Sequence, residues 1–220
     1  MEDQLRPTLE AFAGRKPAEN GGSPEVMFVL GLPGSGKGTL CTRLSAEFGW
    51  YHFSVGDYLR KMCSAYNVRD AVFAGMPLQE VKSALQRRDL LPAEVIASIV
   101  AQKITKQQSE HGDQQFLIDG FPRNLKSAEA FDETIGRPKA VLLFDCAKQV
   151  AKDRFLFRGR GDDNADFFEK RWQDHEKYNR DIVKRYGDIV ETVDTSMEKE
   201  MTYKGVKGLF EQITRRYPDR

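Results

Sequence analysis

From residue 26 onward, short apolar runs alternate with stretches patterned at helical spacing. Val26, Met27, Phe28, Val29 and Leu30 form an unbroken apolar run, the signature of a strand buried on both faces. Similar runs at 51–55, 116–118, 140–144 and 188–193 predict four further strands. Between them lie amphipathic patterns. Leu40, Leu44 and Phe48 recur every four residues and stop at Gly49, a good helix terminator. Val95, Ile96, Ile99, Val100 and Ile104 make one apolar helix face, opened by Pro92 and closed by lysine-rich sequence. Phe168, Trp172, His175, Ile182, Val183 and Tyr186 mark a long amphipathic helix; Val206, Leu209, Phe210 and Ile213 mark a last one. Strands alternating with helices predict an α/β fold with a doubly wound, five-stranded parallel sheet and helices on both faces. Ligands of such folds sit at the carboxyl ends of the strands.

Residues 1–24 read as a flexible N-terminal extension, leaving 25–220 as one domain. Glu19-Asn20-Gly21-Gly22-Ser23-Pro24 has linker composition, and Pro7 to Phe12 has the pattern of a short helix. Glu2, Asp3 and Glu10 make this segment a poor transit peptide, and it lacks a signal peptide's apolar core. The 34 basic and 33 acidic residues nearly cancel, which argues against a nucleic-acid coat. No apolar run approaches the ~18 residues of a membrane span. Cys41, Cys63 and Cys146 show neither metal-ligand spacing nor a disulfide framework and read as buried hydrophobes. His52 and His175 read as packing residues. A reducing, cytoplasmic setting is expected.

The first candidate site follows the first strand directly: Gly31-Leu32-Pro33-Gly34-Ser35-Gly36-Lys37-Gly38-Thr39. Strand, Gly-rich loop, Lys and helix in that order let backbone N–H groups cradle phosphates, with Lys37 reaching the outer ones. The pattern predicts a bound nucleoside triphosphate. The usual Ser or Thr after the Lys, which would hold Mg²⁺, is replaced by Gly38, and the hydroxyl comes at Thr39. A metal held through water fits this arrangement better than one held by the loop.

Three more clusters fall at strand ends or beside them. Asp119 ends the run 116–118 and is placed to hold the water shell of Mg²⁺; Arg123 follows a Gly-Phe-Pro turn and suits a bidentate phosphate grip. Asp57 is placed to cap a short helix, and Arg60 lies one turn in, free to face an anion. Arg154 and Arg158 share a helix face, Arg160 sits between Gly159 and Gly161, Asp163 or Asn164 caps the next helix, and Arg171 follows on it. Lys37, Arg60, Arg123, Arg158, Arg160 and Arg171 carry enough charge for two phosphate-bearing ligands. No Ser-His-Asp set, metal-ligand cluster or Asn-Lys-x-Asp guanine motif is evident along the sequence. Direct transfer between two phosphates needs none of them. A monophosphate's second pKa is near ~6, so its attacking oxygen is already ionised at neutral pH. In-line positioning and charge neutralisation remain, and one arginine is worth roughly 10³–10⁵ in rate.

These four motifs, in this order over residues 26 to about 215, resemble the nucleoside monophosphate kinases of the adenylate kinase and UMP-CMP kinase group. The resemblance implies that the fold is P-loop nucleoside triphosphate hydrolase-like, and that Gly34, Ser35, Gly36, Lys37, Gly38 and Thr39 bind ATP phosphates while Arg154 stacks on the ATP base. It implies that Ser54, Val55, Arg60, Leu91, Gly120, Arg123 and Ser127 surround the monophosphate. Arg158, Arg160 and Arg171 would clamp the phosphates, and Asp119 would orient hydrated Mg²⁺. A monophosphate-binding insert over 53–92, a short lid over 158–164 without zinc cysteines, and a monomer are further expectations. The chain departs from the group at the base-reading positions. Val55 replaces the Thr of adenylate kinases, and Ser127 replaces their Gln or the Asn of UMP-CMP kinases. AMP is the marginally favoured acceptor, with UMP or CMP close behind on Asn124; a catalytically silent nucleotide-binding protein is the rival from another class.

Overall fold

The computed structural model describes residues 23–65, 72–160 and 163–216. Five strands form one parallel sheet: β1 (Glu25–Gly31), β2 (Tyr51–Ser54), β5 (Gln115–Asp119), β6 (Ala140–Asp145) and β7 (Val190–Asp194). Their order is β2-β5-β1-β6-β7. The central strand β1 pairs with β5 through Phe28↔Ile118 and with β6 through Phe28↔Val141. Successive side chains of a strand alternate faces, so β1 feeds two cores. Met27 and Val29 pack with Leu40 and Leu44 of α1 (Lys37–Phe48) and with Val206 and Phe210 of α8 (Lys199–Arg216). Phe28 and Leu30 pack on the other face with Val100 and Ile104 of α4 (Ala93–His111), Phe131 of α5 (Leu125–Thr134) and Ile182 of α7 (Ala165–Arg185). Phe28 meets the rings of Phe121, Phe131 and Tyr186 at centroid distances of 5.5, 4.9 and 6.0 Å. The predicted doubly wound α/β sheet is thus present.

A third, smaller cluster of Leu32, Ala151, Phe155 and Phe168 fixes α6 (Lys148–Phe157) and α7 beneath the glycine loop. The expected insert contains α2 (Val55–Ala65), a two-stranded hairpin of β3 (Val72–Phe73) and β4 (Met76–Pro77), and α3 (Leu78–Arg87). The helix ends follow the sequence signals: Gly49 terminates α1 in the left-handed conformation at φ +74, and Pro92 immediately precedes α4.

Two strand boundaries differ from the pattern. Val55 begins α2 rather than ending β2, because Ser54 is the last residue paired with β5. Asp188 lies in a 3-10 turn, Gly187–Ile189, closed by the Ile189 N–H on the Tyr186 carbonyl and held by an Arg137–Asp188 ion pair; β7 starts only at Val190. Apolar runs do not distinguish strand from adjoining turn at such ends. The predicted helix at 7–12, residues 1–22 of the extension, 66–71 of the insert and 161–162 of the lid lie outside the described residues. Among the described residues no helix is long and apolar enough to cross a membrane.

Candidate active site

All five strands run the same way, so their carboxyl ends bring Gly31, Ser54, Asp119, Asp145 and Asp194 to one edge. After Gly31 the chain folds into the glycine loop. Gly34 has φ +87, and a Cβ there would stand 1.9 Å from the Ala151 carbonyl oxygen. The loop therefore lies backbone against backbone on α6, which only glycine permits. Gly36 caps α1 without a side-chain hydrogen bond, and the first turn of α1 carries no acidic residue. The N–H groups at this helix end are left for an anion. Lys37 Nζ donates to the carbonyls of Gly31 and Leu32, both at 2.7 Å. Its ammonium thus lies within the loop that it would serve. Burial lowers its pKa to about 8; Asp119 acts the opposite way, and Arg171 adds to the lowering.

Asp119 ends β5 as expected. Its Oδ2 lies 2.6 Å from His52 Nε2, and its Oδ1 accepts from Ser54 Oγ at 3.3 Å. His52 is therefore a partner of this carboxylate and not the packing residue that its apolar neighbourhood suggested. A carboxylate offers about four acceptor positions, so both oxygens retain room for water. Oxygen donors reached through water fit Mg²⁺.

Arg123 stands between strand and loop, its Nε donating to the Gly120 carbonyl at 2.9 Å. Burial, with Arg171 and Arg60 nearby, pushes this guanidinium well below its ordinary pKa. A Cβ on Gly56 would meet Arg60 Nη2 at 3.5 Å and Arg123 Nη2 at 3.6 Å, so the two guanidiniums converge on one backbone point. Arg171 lines the same cleft as Lys37 and Arg123, together with Asp174, His175 and Asn179. Positions 171, 174–175 and 179 share one face of α7. Of this stripe the sequence singles out Arg171 for chemistry and His175 only for packing, while Asp174 and Asn179 are marked by helical spacing alone. Burial, reinforced by Lys37, lowers His175 to about 4, so it is neutral at pH 7.

Arg158 and Arg160, in the expected lid, rest on carboxylates. Arg158 grips Asp163 through Nε at 2.7 Å and Nη2 at 2.6 Å, while the Arg160 N–H donates to the same carboxylate at 3.1 Å. Arg160 Nη1 also pairs with Asp57 Oδ1 at 3.1 Å. Asp57 is the third residue of α2 rather than its cap, and it holds Arg60 and Arg160 together. Partial burial works against the charge on Asp57, yet these two arginines keep its carboxyl below the ordinary range. Asn164, not Asp163, caps α7, its Oδ1 accepting from the Phe167 N–H at 2.9 Å. Arg154 donates to the carbonyls of Thr195, Ser196 and Met197 at 2.6, 3.1 and 2.7 Å, fixing the loop after β7.

Val55, Leu91 and Ser127 line a separate, tight pocket with Leu59, Phe121 and Asn124. Ser127 is fully buried there, and its hydroxyl is spent in a capping box with Asn124. Ser127 Oγ donates to the Asn124 carbonyl at 2.9 Å, and Asn124 Oδ1 accepts the Ser127 N–H at 2.8 Å. The carboxamide N–H donors of Asn124 take no part in this box.

Comparisons with known proteins agree with this geometry. The family described as "Adenylate kinase" matches residues 29–190. The chain is 36% identical to a UMP-CMP kinase of Prunus armeniaca over 194 residues, covering 83% of this chain and 79% of the relative. It is 34% identical to a UMP-CMP kinase of Lentinula edodes, covering 81% and 82%. It is 38% identical to adenylate kinase isoenzyme 1 of Caenorhabditis elegans over 173 residues, covering 76% and 77%. A phosphate loop, a strand-end carboxylate and converging arginines on one sheet edge, matched along most of the chain, have one explanation: the protein belongs to the adenylate kinase family of nucleoside monophosphate kinases.

Proposed function

We propose that this enzyme transfers the γ-phosphoryl group of ATP to a pyrimidine nucleoside monophosphate, UMP or CMP. The observation that carries this choice is the tight pocket beside Arg123. Its walls are mostly apolar, its serine hydroxyl is spent, its Asp89 carboxylate is held by Arg87 and Lys170, and the Asn124 carboxamide remains to meet a base beside Arg123. UMP and CMP share a ring carbonyl beside the sugar that such a donor can recognise. A one-ring base also requires less widening of the pocket than a purine. Relatives named UMP-CMP kinase support the same choice. AMP is the second reading, and the likeness to adenylate kinase isoenzyme 1 favours it. Weak discrimination among bases is expected, because a hydroxyl already committed cannot reject a wrong partner.

In this reading the loop at 34–39 and Lys37 hold the triphosphate, and Arg154 steadies the 195–197 loop against its base. Arg60 and Arg123 hold the acceptor phosphate. Arg158, Arg160 and Arg171 close over both, exchanging the carboxylates of Asp163 and Asp57 for phosphate oxygens. The acceptor oxygen attacks without a general base because it is already ionised. His175, neutral at pH 7, adds no charge beside Lys37. Closure excludes water, which protects the phosphoryl group from hydrolysis. Asp119 would hold Mg²⁺ through water, and the ion would supply neutralisation of the triphosphate charge. The test is steady-state turnover with UMP, CMP, dCMP, AMP and GMP offered singly. UMP or CMP should give the highest kcat/KM; a clear preference for AMP would replace this reading with the second.

A further inference from the structure

Three side chains able to ligate a metal, one soft, one borderline and one hard, meet beneath the glycine loop, each from a different element. Cys41 comes from α1, His52 from β2 and Asp119 from the end of β5. One ligand atom of each lies within 4.8 Å of the others, and among the described residues this is the one such group of three. Cys41 is a free, fully buried thiol. The side chains of His52 and Asp119 are 14% and 9% exposed, so the group is not sealed from solvent. We propose that Cys41, His52 and Asp119 form a site for a thiophilic divalent cation of the Zn²⁺ class, and that filling it inhibits phosphoryl transfer.

The donor set carries this assignment. One sulfur, one imidazole nitrogen and one carboxylate oxygen, with a water in the fourth position, make an open tetrahedral zinc site. Mg²⁺ prefers six oxygen ligands in octahedral geometry, so the same group discriminates against it. Tetrahedral ligands of zinc stand about 3.3–3.6 Å apart at bond lengths of ~2.0–2.3 Å. The 2.6 Å contact between His52 and Asp119 therefore has to open by less than an ångström. Binding breaks that hydrogen bond, moves the imidazole proton from Nε2 to Nδ1, which faces Thr42 Oγ1 at 3.4 Å, forms Zn–N, Zn–O and Zn–S bonds in place of bonds to water, and releases the thiol proton to solvent. Inhibition follows because Asp119 is withdrawn from the phosphate side. That arm rests on the proposed role of Asp119, whereas metal binding does not.

The experiment separates the two. Co²⁺ is titrated into the full chain without nucleotide, and the thiolate-to-cobalt band is read in the near ultraviolet. Wild type and Cys63→Ala should both give the band at one equivalent and lose it to Zn²⁺. Cys41→Ala and the near-isosteric Cys41→Ser should lack it and bind Zn²⁺ at least about 10–100-fold more weakly, the loss typical of a single supporting partner. Both variants should retain Mg²⁺-dependent turnover and lose its inhibition by Zn²⁺. No band in the wild type overturns the site, even if the variants fail to fold. A band that survives in Cys41→Ser also overturns it. A normal band with zinc-insensitive turnover upholds the site and overturns the inhibition.

Discussion

Replacing Gly34 with Ala adds one methyl group where the structure has no room for it. The new Cβ would lie 1.9 Å from the Ala151 carbonyl oxygen, against the 3.0 Å that real contacts keep, so loop and α6 must part by about 1.1 Å. The obstacle is backbone and cannot rotate away. The position also has φ +87, which costs an L side chain about 1–2 kcal/mol. Overpacking adds about 1–3 kcal/mol. The variant should lose about 2–5 kcal/mol, and at ~2–4 °C per kcal/mol for a chain of this length its Tm should fall by about 4–20 °C. Displacement of roughly an ångström at the phosphate cradle should also cost about 10²-fold in kcat/KM. Gly38→Ala is the control for stability. It lies in α1 with nothing within 4 Å of its added Cβ, so its Tm should stay level or rise slightly. Thermal unfolding and coupled turnover of both variants decide the matter. A Gly34→Ala protein with wild-type Tm and turnover would refute the close approach and the role built on it.

Lys37, at about 8, should lose its proton in the free enzyme as pH rises through that value, so KM for ATP should climb above pH 8 while kcat changes less. The climb should flatten in Lys37→Arg, whose guanidinium stays charged; an unchanged slope there would count against the assignment. The same shift makes the unfolded chain bind more protons than the native one between about pH 8 and 10.5, so this group's contribution to stability should rise with pH across that window. Arg154→Ala removes three hydrogen bonds to the 195–197 loop and should raise KM for ATP about 10-fold or more, with acceptor KM little changed; the reverse pattern would place Arg154 on the acceptor side. Tyr186→Phe deletes a 2.7 Å hydrogen bond to Asp132 in the core and should cost about 1–2 kcal/mol with turnover preserved, as denaturant unfolding can check.

The sheet was legible because it is parallel and buried on both faces, so its strands are plain apolar runs. Helix ends were legible where Gly49 and Pro92 leave local chemistry in the sequence. The hairpin at 72–77 was not, since its strands are two residues each and carry no period. The candidate phosphate-site residues could be picked individually because Asp119 ends a strand and Lys37 and Arg123 lie in or just past the short turns that follow strands. Their partnerships could not. His52 reaches Asp119 across 67 positions of chain, and Arg160 reaches Asp57 across 103, so no local pattern announces either pair. Asp57 illustrates the limit well: near a helix start the residue type suggests a cap, yet two arginines from different elements claim it. Ser127 likewise stands where the resemblance puts a base-reading residue, but the neighbouring Asn124 draws it into a capping box that spends its hydroxyl.

The most direct test of the account follows the labelled γ-phosphoryl group of ATP in the presence of UMP or CMP. The label should appear in UDP or CDP, one for each ADP formed, with almost none released as inorganic phosphate. Label released mainly as phosphate, or no transfer to any monophosphate by protein that still binds ATP, would contradict a site built for direct transfer between two bound nucleotides.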